Sequence, residues 1–143
     1  MLVDANLLIY AVDRRATHHD TAGEWLTDVL NGDVRVGLPW ATIGAFLRII
    51  TNPRVTTRPL SGEEAWSHVA GWLAASPTWI PPAGERTAAV YERLAGQLPI
   101  TGNLVPDAQL AALAIEHGLE LCSADTDFAR FPGLRWRNPL ATT

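Results

Sequence analysis

Apolar positions along the chain fall into short runs separated by longer stretches of helical periodicity. Met1, Leu2 and Val3 read as a buried strand, and Asn6 to Val12 as an apolar helix or turn. Ala22, Trp25, Leu26, Val29 and Leu30 recur at helical spacing, with Thr17 placed to cap the helix and Asn31-Gly32 to stop it. Val34 to Leu38 alternates as a strand does. Pro39 then opens a helix that must end before Pro53. Ser61 and Glu64 form a capping-box pattern ahead of Trp66, Val69, Trp72 and Leu73, whose spacing predicts a helix with the tryptophans in its core face. Thr78 to Pro82 is extended, and a further helix runs from about Glu85 to Leu98.

The last third is the most legible. Pro106 sits near the first turn of a helix that Gly118 closes. Leu119 to Ser123 is a buried strand, followed by a loop with one helical turn, an edge strand at Leu134 to Trp136, and a polar tail after Pro139. Short apolar strands alternating with helices predict an α/β fold with a mainly parallel central sheet flanked by helices. At 143 residues the chain fits one domain over 1–143. No apolar run reaches the roughly 18 residues of a membrane span, and no signal pattern opens the chain. The single Cys122 excludes an internal disulfide and fits a cytoplasmic protein.

Against this apolar background Asp4 is out of place. It ends the first strand among residues that avoid water, with no evident capping task, and an unpaired buried carboxylate is costly. Asp125 and Asp127 follow the strand at Leu119 to Ser123, and Asp107 lies in the first turn of a helix. Taken singly, these last three serve as turn, cap or helix-start residues. In a parallel sheet, however, functional groups gather beyond the carboxyl ends of the strands. Carboxylates converging there need a cation to stay ionised, and a hard ion, Mg²⁺ or Mn²⁺, accepts oxygen ligands. Phosphodiester hydrolysis is the chemistry such a site performs. No histidine or cysteine cluster has zinc spacing.

Three segments, "LVDANLLIYAV", "TGNLVPDAQLAALAIEHG" and "LCSADTDFARFPGLRW", resemble the acidic blocks of PIN-domain nucleases, and of VapC-type toxins in particular. "AFLRIITNPRV" resembles the second block of that group, in the right order. The resemblance implies a Mg²⁺-dependent endoribonuclease acting on tRNA or rRNA, a protein antitoxin partner and a homodimer. By position, Asp4, Asp107 and Asp125 match the family's metal-binding acids, Asp127 a common additional acid, and Asn6 and Ser123 polar positions beside the site. One departure stands out. Many members carry a glutamate where this chain has Ala45, and Glu116 does not replace it, because it lies about 180° round its helix from Asp107. A catalytically inactive binder of RNA or antitoxin is therefore the alternative to the nuclease. An aspartate-nucleophile phosphatase is disfavoured by Asn6, where that chemistry needs a second acid.

The net charge of −4 excludes binding of nucleic acid by bulk charge, but all eleven basic residues are arginines, which grip phosphate through paired hydrogen bonds. Arg48, Arg54 and Arg130 are the candidates for RNA phosphates, with Arg48 also placed to bond backbone near the site.

Overall fold

The computed structural model describes residues 1–141; Thr142 and Thr143, the end of the expected polar tail, lie outside them. Five strands form one parallel sheet in the order β3-β2-β1-β4-β5: β1 Leu2–Val3, β2 Val36–Gly37, β3 Thr78–Trp79, β4 Leu121–Cys122 and β5 Trp136–Arg137. Six helices connect them: α1 Ala5–Val12, α2 His19–Leu30, α3 Trp40–Ile50, α4 Gly62–Ala74, α5 Glu85–Ala95 and α6 Leu104–Glu116.

Alternation of side chains divides the core. Val3 and Cys122 point into one apolar cluster with Leu7, Val36, Phe46 and Val69, beneath α1 to α4. Leu2 and Leu121 point the other way, against Leu94 of α5, Ala111 and Leu113 of α6, and Phe128. Both central strands are thus covered on two faces, which is why they read as continuous apolar runs.

Gly37 is a packing requirement. A β-carbon there would lie 2.8 Å from Pro81 Cγ and 3.2 Å from the Met1 carbonyl, whose oxygen accepts a hydrogen bond from Gly37 N at 2.8 Å. The helix ends follow the expected chemistry in part. Ser61 and Glu64 form the capping box, and Gly118, at φ 65°, follows α6.

Several boundaries differ from expectation. His18, not Thr17, precedes α2, and without a side-chain cap. Val34 is 62% exposed, and the strand begins only at Val36. Helix α6 starts at Leu104, ahead of Pro106, because first-turn amides have no helical acceptor and proline forfeits nothing there. The α5 helix stops at Ala95 and the edge strand falls at Trp136–Arg137. Trp66 is 43% exposed, edge-on to Trp40, rather than in the core beside Trp72.

Gly37→Ala is expected to destabilise the fold by about 1–3 kcal/mol through overpacking against Pro81 and Leu2, read as a lowered denaturant midpoint at unchanged m-value.

Candidate metal centre

Asp4 lies directly beyond β1 and caps α1, accepting a hydrogen bond from Ala5 N through Oδ1 at 2.8 Å. The local capping task that the sequence did not reveal is therefore present. It occupies one oxygen. The other, Oδ2, accepts from Ser123 Oγ at 2.7 Å, and Ser123 is fully buried at the end of β4. That serine is completely used. Asn6 Nδ2 donates to its Oγ at 3.1 Å and Asp125 N at 3.0 Å, so its own proton must point at Asp4. Asn6 in turn accepts from Ala124 N, and Trp136 Nε1 donates to the Ser123 carbonyl at 3.0 Å. Asn6 and Ser123 thus join the ends of β1 and β4 into one hydrogen-bonded unit holding Asp4.

Asp125 caps the 3-10 turn Thr126–Arg130, accepting from Asp127 N at 2.9 Å, and Asp107 projects from the first turn of α6. Carboxylate oxygens of Asp107, Asp125 and Asp127 lie within 4.8 Å of one another. Asp127 therefore belongs to the tight trio, while Asp4, held by Ser123, stands outside it but near enough for its charge to act on Asp107. The groups influence one another electrically. Burial, reinforced by the negative charges of Asp125, Asp4 and Asp127, pushes the Asp107 carboxyl up to about 6. Burial also raises Asp4, with Asp125 adding to the effect and the Ser123 and Ala5 hydrogen bonds opposing it.

This donor set suits a small hard cation. Oxygens this near could be drawn onto one ion by small side-chain adjustments, each carboxylate keeps lone pairs free, and an ion would remove the repulsion that burial intensifies.

Thr42 escaped the sequence reading. Its buried Oγ donates to the Val3 carbonyl at 2.9 Å, pinning the start of α3 to the peptide immediately before Asp4. A hydroxyl in the otherwise apolar stripe of Ile43, Phe46 and Ile50 was the available signal. Ala45 lies three residues on, about 60° round the helix and half-buried. Helix α3 supplies no carboxylate. Glu116 bonds Thr87 of α5, on the far side of α6 as its spacing required. Of the arginines, Arg130 ends the 3-10 turn that Asp125 caps and pairs with none of the acids among the described residues, whereas Arg48 and Arg54 stand exposed toward the other end of α3. Arg48 makes no backbone hydrogen bond among the described residues.

The PIN-domain family model matches residues 1–134. Ribonuclease VapC37 of Mycobacterium tuberculosis (strain ATCC 25618 / H37Rv) is 42% identical over 140 residues, covering 98% of this chain and 97% of that protein. The chain belongs to the VapC ribonucleases of the PIN-domain family. Ribonuclease VapC33 of the same strain is 39% identical over 140 residues, covering 98% of each chain. Among solved structures, VapBC2 from Rickettsia felis, bound to a DNA fragment from its promoter, matches with a TM-score of 0.71 at 18% identity over 96% of both chains. Mycobacterium tuberculosis VapC20, described as cleaving the sarcin-ricin loop, matches with a TM-score of 0.67 at 14% identity over 94% of this chain and 98% of its own. At such identities the structural matches establish the PIN fold.

The raised carboxyls fix how stability of this PIN domain depends on pH. Between the ordinary Asp107 value of 3.8 and about 6, the folded state holds more protons than the unfolded one. Metal-free stability is therefore expected to fall as pH rises through that window. A bound cation needs the ionised forms, so the Mg²⁺-induced rise in Tm should grow from about pH 5 to about pH 7.5. Thermal melts with and without Mg²⁺ across that range check both signs.

Proposed function

We propose that this VapC-family ribonuclease is the toxin of a toxin–antitoxin pair, an endoribonuclease that hydrolyses RNA phosphodiesters with Mg²⁺, or Mn²⁺, at the acidic centre. The convergence of Asp107, Asp125 and Asp127, with the Ser123-held Asp4 near enough to act on Asp107, carries this reading. Asp4, Asp107 and Asp125 would hold the ion, with Asp127 completing the acidic rim. When bound, the ion would polarise the scissile phosphate and acidify water. The chain's own groups perform the rest. Ser123 and Asn6 fix the Asp4 carboxylate before substrate arrives, so no reorganisation is needed on binding. Raised carboxyls keep Asp107 partly protonated without metal, and a proton lost on metal binding leaves a site poised near neutral pH.

An unpaired loop of tRNA or rRNA suits a recessed centre, since its phosphate can be splayed toward the acids. Arg130, three residues after Asp127 on the same 3-10 turn, would hold a neighbouring phosphate. A protein antitoxin fits as partner, because the related structures include VapBC assemblies from Rickettsia felis, Haemophilus influenzae and Salmonella typhimurium. A basic side chain of that partner, entering the acidic centre, would block it. Trp40, 61% exposed, and Trp66 form an apolar surface patch that we assign to a homodimer. The buried Cys122 thiol is compatible with a cytoplasmic setting, and no helix among the described residues is long and apolar enough to cross a membrane.

Ala45 supports a second reading, in which the site binds RNA and antitoxin but cleaves weakly or not at all. Cleavage of a structured RNA panel in Mg²⁺ and in EDTA separates the two. Asp4→Asn keeps the shape and an acceptor for Ser123 but removes charge, and about 3 kcal/mol of lost ion stabilisation corresponds to about a hundredfold fall in rate. Wild-type cleavage by Asp4→Asn would refute the site. Absence of metal-dependent cleavage in the wild-type protein would favour the binder.

The missing glutamate yields a further expectation. Ala45→Glu adds a carboxylate about one helical turn beyond the Thr42 anchor, and should enlarge the Mn²⁺-induced rise in Tm while lowering the Tm in EDTA. Equal metal-induced rises would show that position 45 does not face the ion.

A further inference from the structure

At the far ends of α1 and α3, a groove of about 520 Å³ is lined by Arg14, Arg15, Arg58 and His68 over apolar Ile50 and Leu60. The arginines come from two separate segments, the exit of α1 and the connection between α3 and α4. They are joined where Arg15 Nη1 donates to Thr57 Oγ at 2.8 Å. Among the described residues none of the three pairs with a carboxylate. Asp13, the groove's one acid, is engaged locally by the Arg15 amide at 3.0 Å. In a chain of net charge −4, three guanidinium groups without a salt-bridge partner, against the one carboxylate of Asp13, leave this concavity with a net positive charge.

Its distance from the acids is set by the helices. Helix α1 begins at Asp4 and ends at Val12, which also lines the groove; α3 is pinned to Val3 by Thr42 and reaches the groove at Ile50. The eight residues of α1 and the eight steps from Thr42 to Ile50 of α3 each rise about 12 Å, a span that a few nucleotides bridge. The outward positions of α3 between the two ends are Ala41, Gly44 and Arg48, with no carboxylate on the helix to repel a polyanion.

We propose that this groove is an anchoring site for the phosphates of single-stranded RNA, distinct from the acidic centre and holding the strand about one helix length from the point of cleavage. This rests on the ribonuclease reading above. Planar guanidinium forks match phosphate oxygens, and the apolar floor accepts a ribose or base face, a combination that suits RNA better than an acidic peptide alone.

The test is binding of a fluorescent polyuridylate of about 12 nucleotides, measured by anisotropy in EDTA over a range of salt. Each phosphate contact on a single strand contributes about 0.7 to the slope of log K against log salt. Arg14→Gln/Arg58→Gln, two exposed positions, should lower that slope by about 1.4 and weaken binding about tenfold at low salt. Arg86→Gln/Arg93→Gln on α5 removes the same charge from the opposite face and should leave the slope unchanged. Equal slopes for wild type and the groove variant would overturn the proposal, as would the same loss in the α5 variant or no wild-type affinity at low salt. Unchanged RNA binding with lost antitoxin affinity would assign the groove to a protein and overturn it too. Because binding is read without metal, the two failures are distinguishable: loss of cleavage with an intact groove-dependent slope would sink the nuclease reading, and an unchanged slope in the groove variant would sink the anchor.

Discussion

Strand β1 lies between β2 and β4 and is buried on both faces, and the acidic end of the molecule depends on that placement. Its backbone is fixed on each side: Gly37 N donates to the Met1 carbonyl, and Asp4 N donates to the Cys122 carbonyl at 3.0 Å. A strand so held delivers its next residue to one position. Parallel pairing delivers Ser123 from β4 to the same level, so the 2.7 Å contact between Ser123 and Asp4 follows from the register of Val3 with Cys122. The loop after β4 then brings Asp125 round to the same point, and α6 returns Asp107 from the other layer.

Bringing these carboxylates together opposes folding stability. Asp4 and Asp107 are withdrawn from water, and the charges of their neighbours add to the rise that burial produces, most visibly at Asp107. The fold tolerates this because the surrounding layers are well packed and because Asp4 and Asp125 also perform ordinary structural tasks, capping α1 and the 3-10 turn. Asp125 caps its turn through Oδ1 alone, which leaves its second oxygen uncommitted. A group can therefore look like a simple cap and still be part of a metal site.

Much of this was legible in the sequence, for identifiable reasons. Layer architecture followed from apolar runs too short for helices and from helical stripes between them; the four aspartates followed from their positions relative to strand ends. Boundaries were less legible because tertiary packing sets them. Val34 alternates as a strand residue should but lies beyond the pairing partners of β2, and Trp66 has core spacing on a helix whose other neighbours fill the core first. Thr42 stood out only as a hydroxyl in an apolar stripe, and its task was not legible because its partner is a backbone carbonyl distant in sequence. The groove arginines were missed in part for the same reason: Arg14 and Arg15 meet Arg58 only through the fold.

The Thr42 hydrogen bond also gives α3 a mechanical character. One end of this helix is tied to the peptide that carries Asp4, and its last residue lines the arginine groove. A helix is a stiff rod of fixed rise per residue, so the distance between these ends does not vary with loop motion. It works as a ruler. On the proposals above, a strand gripped at the groove would meet the acids at a constant number of nucleotides from its grip, and the position of the cut would be a property of helix length as well as of base identity.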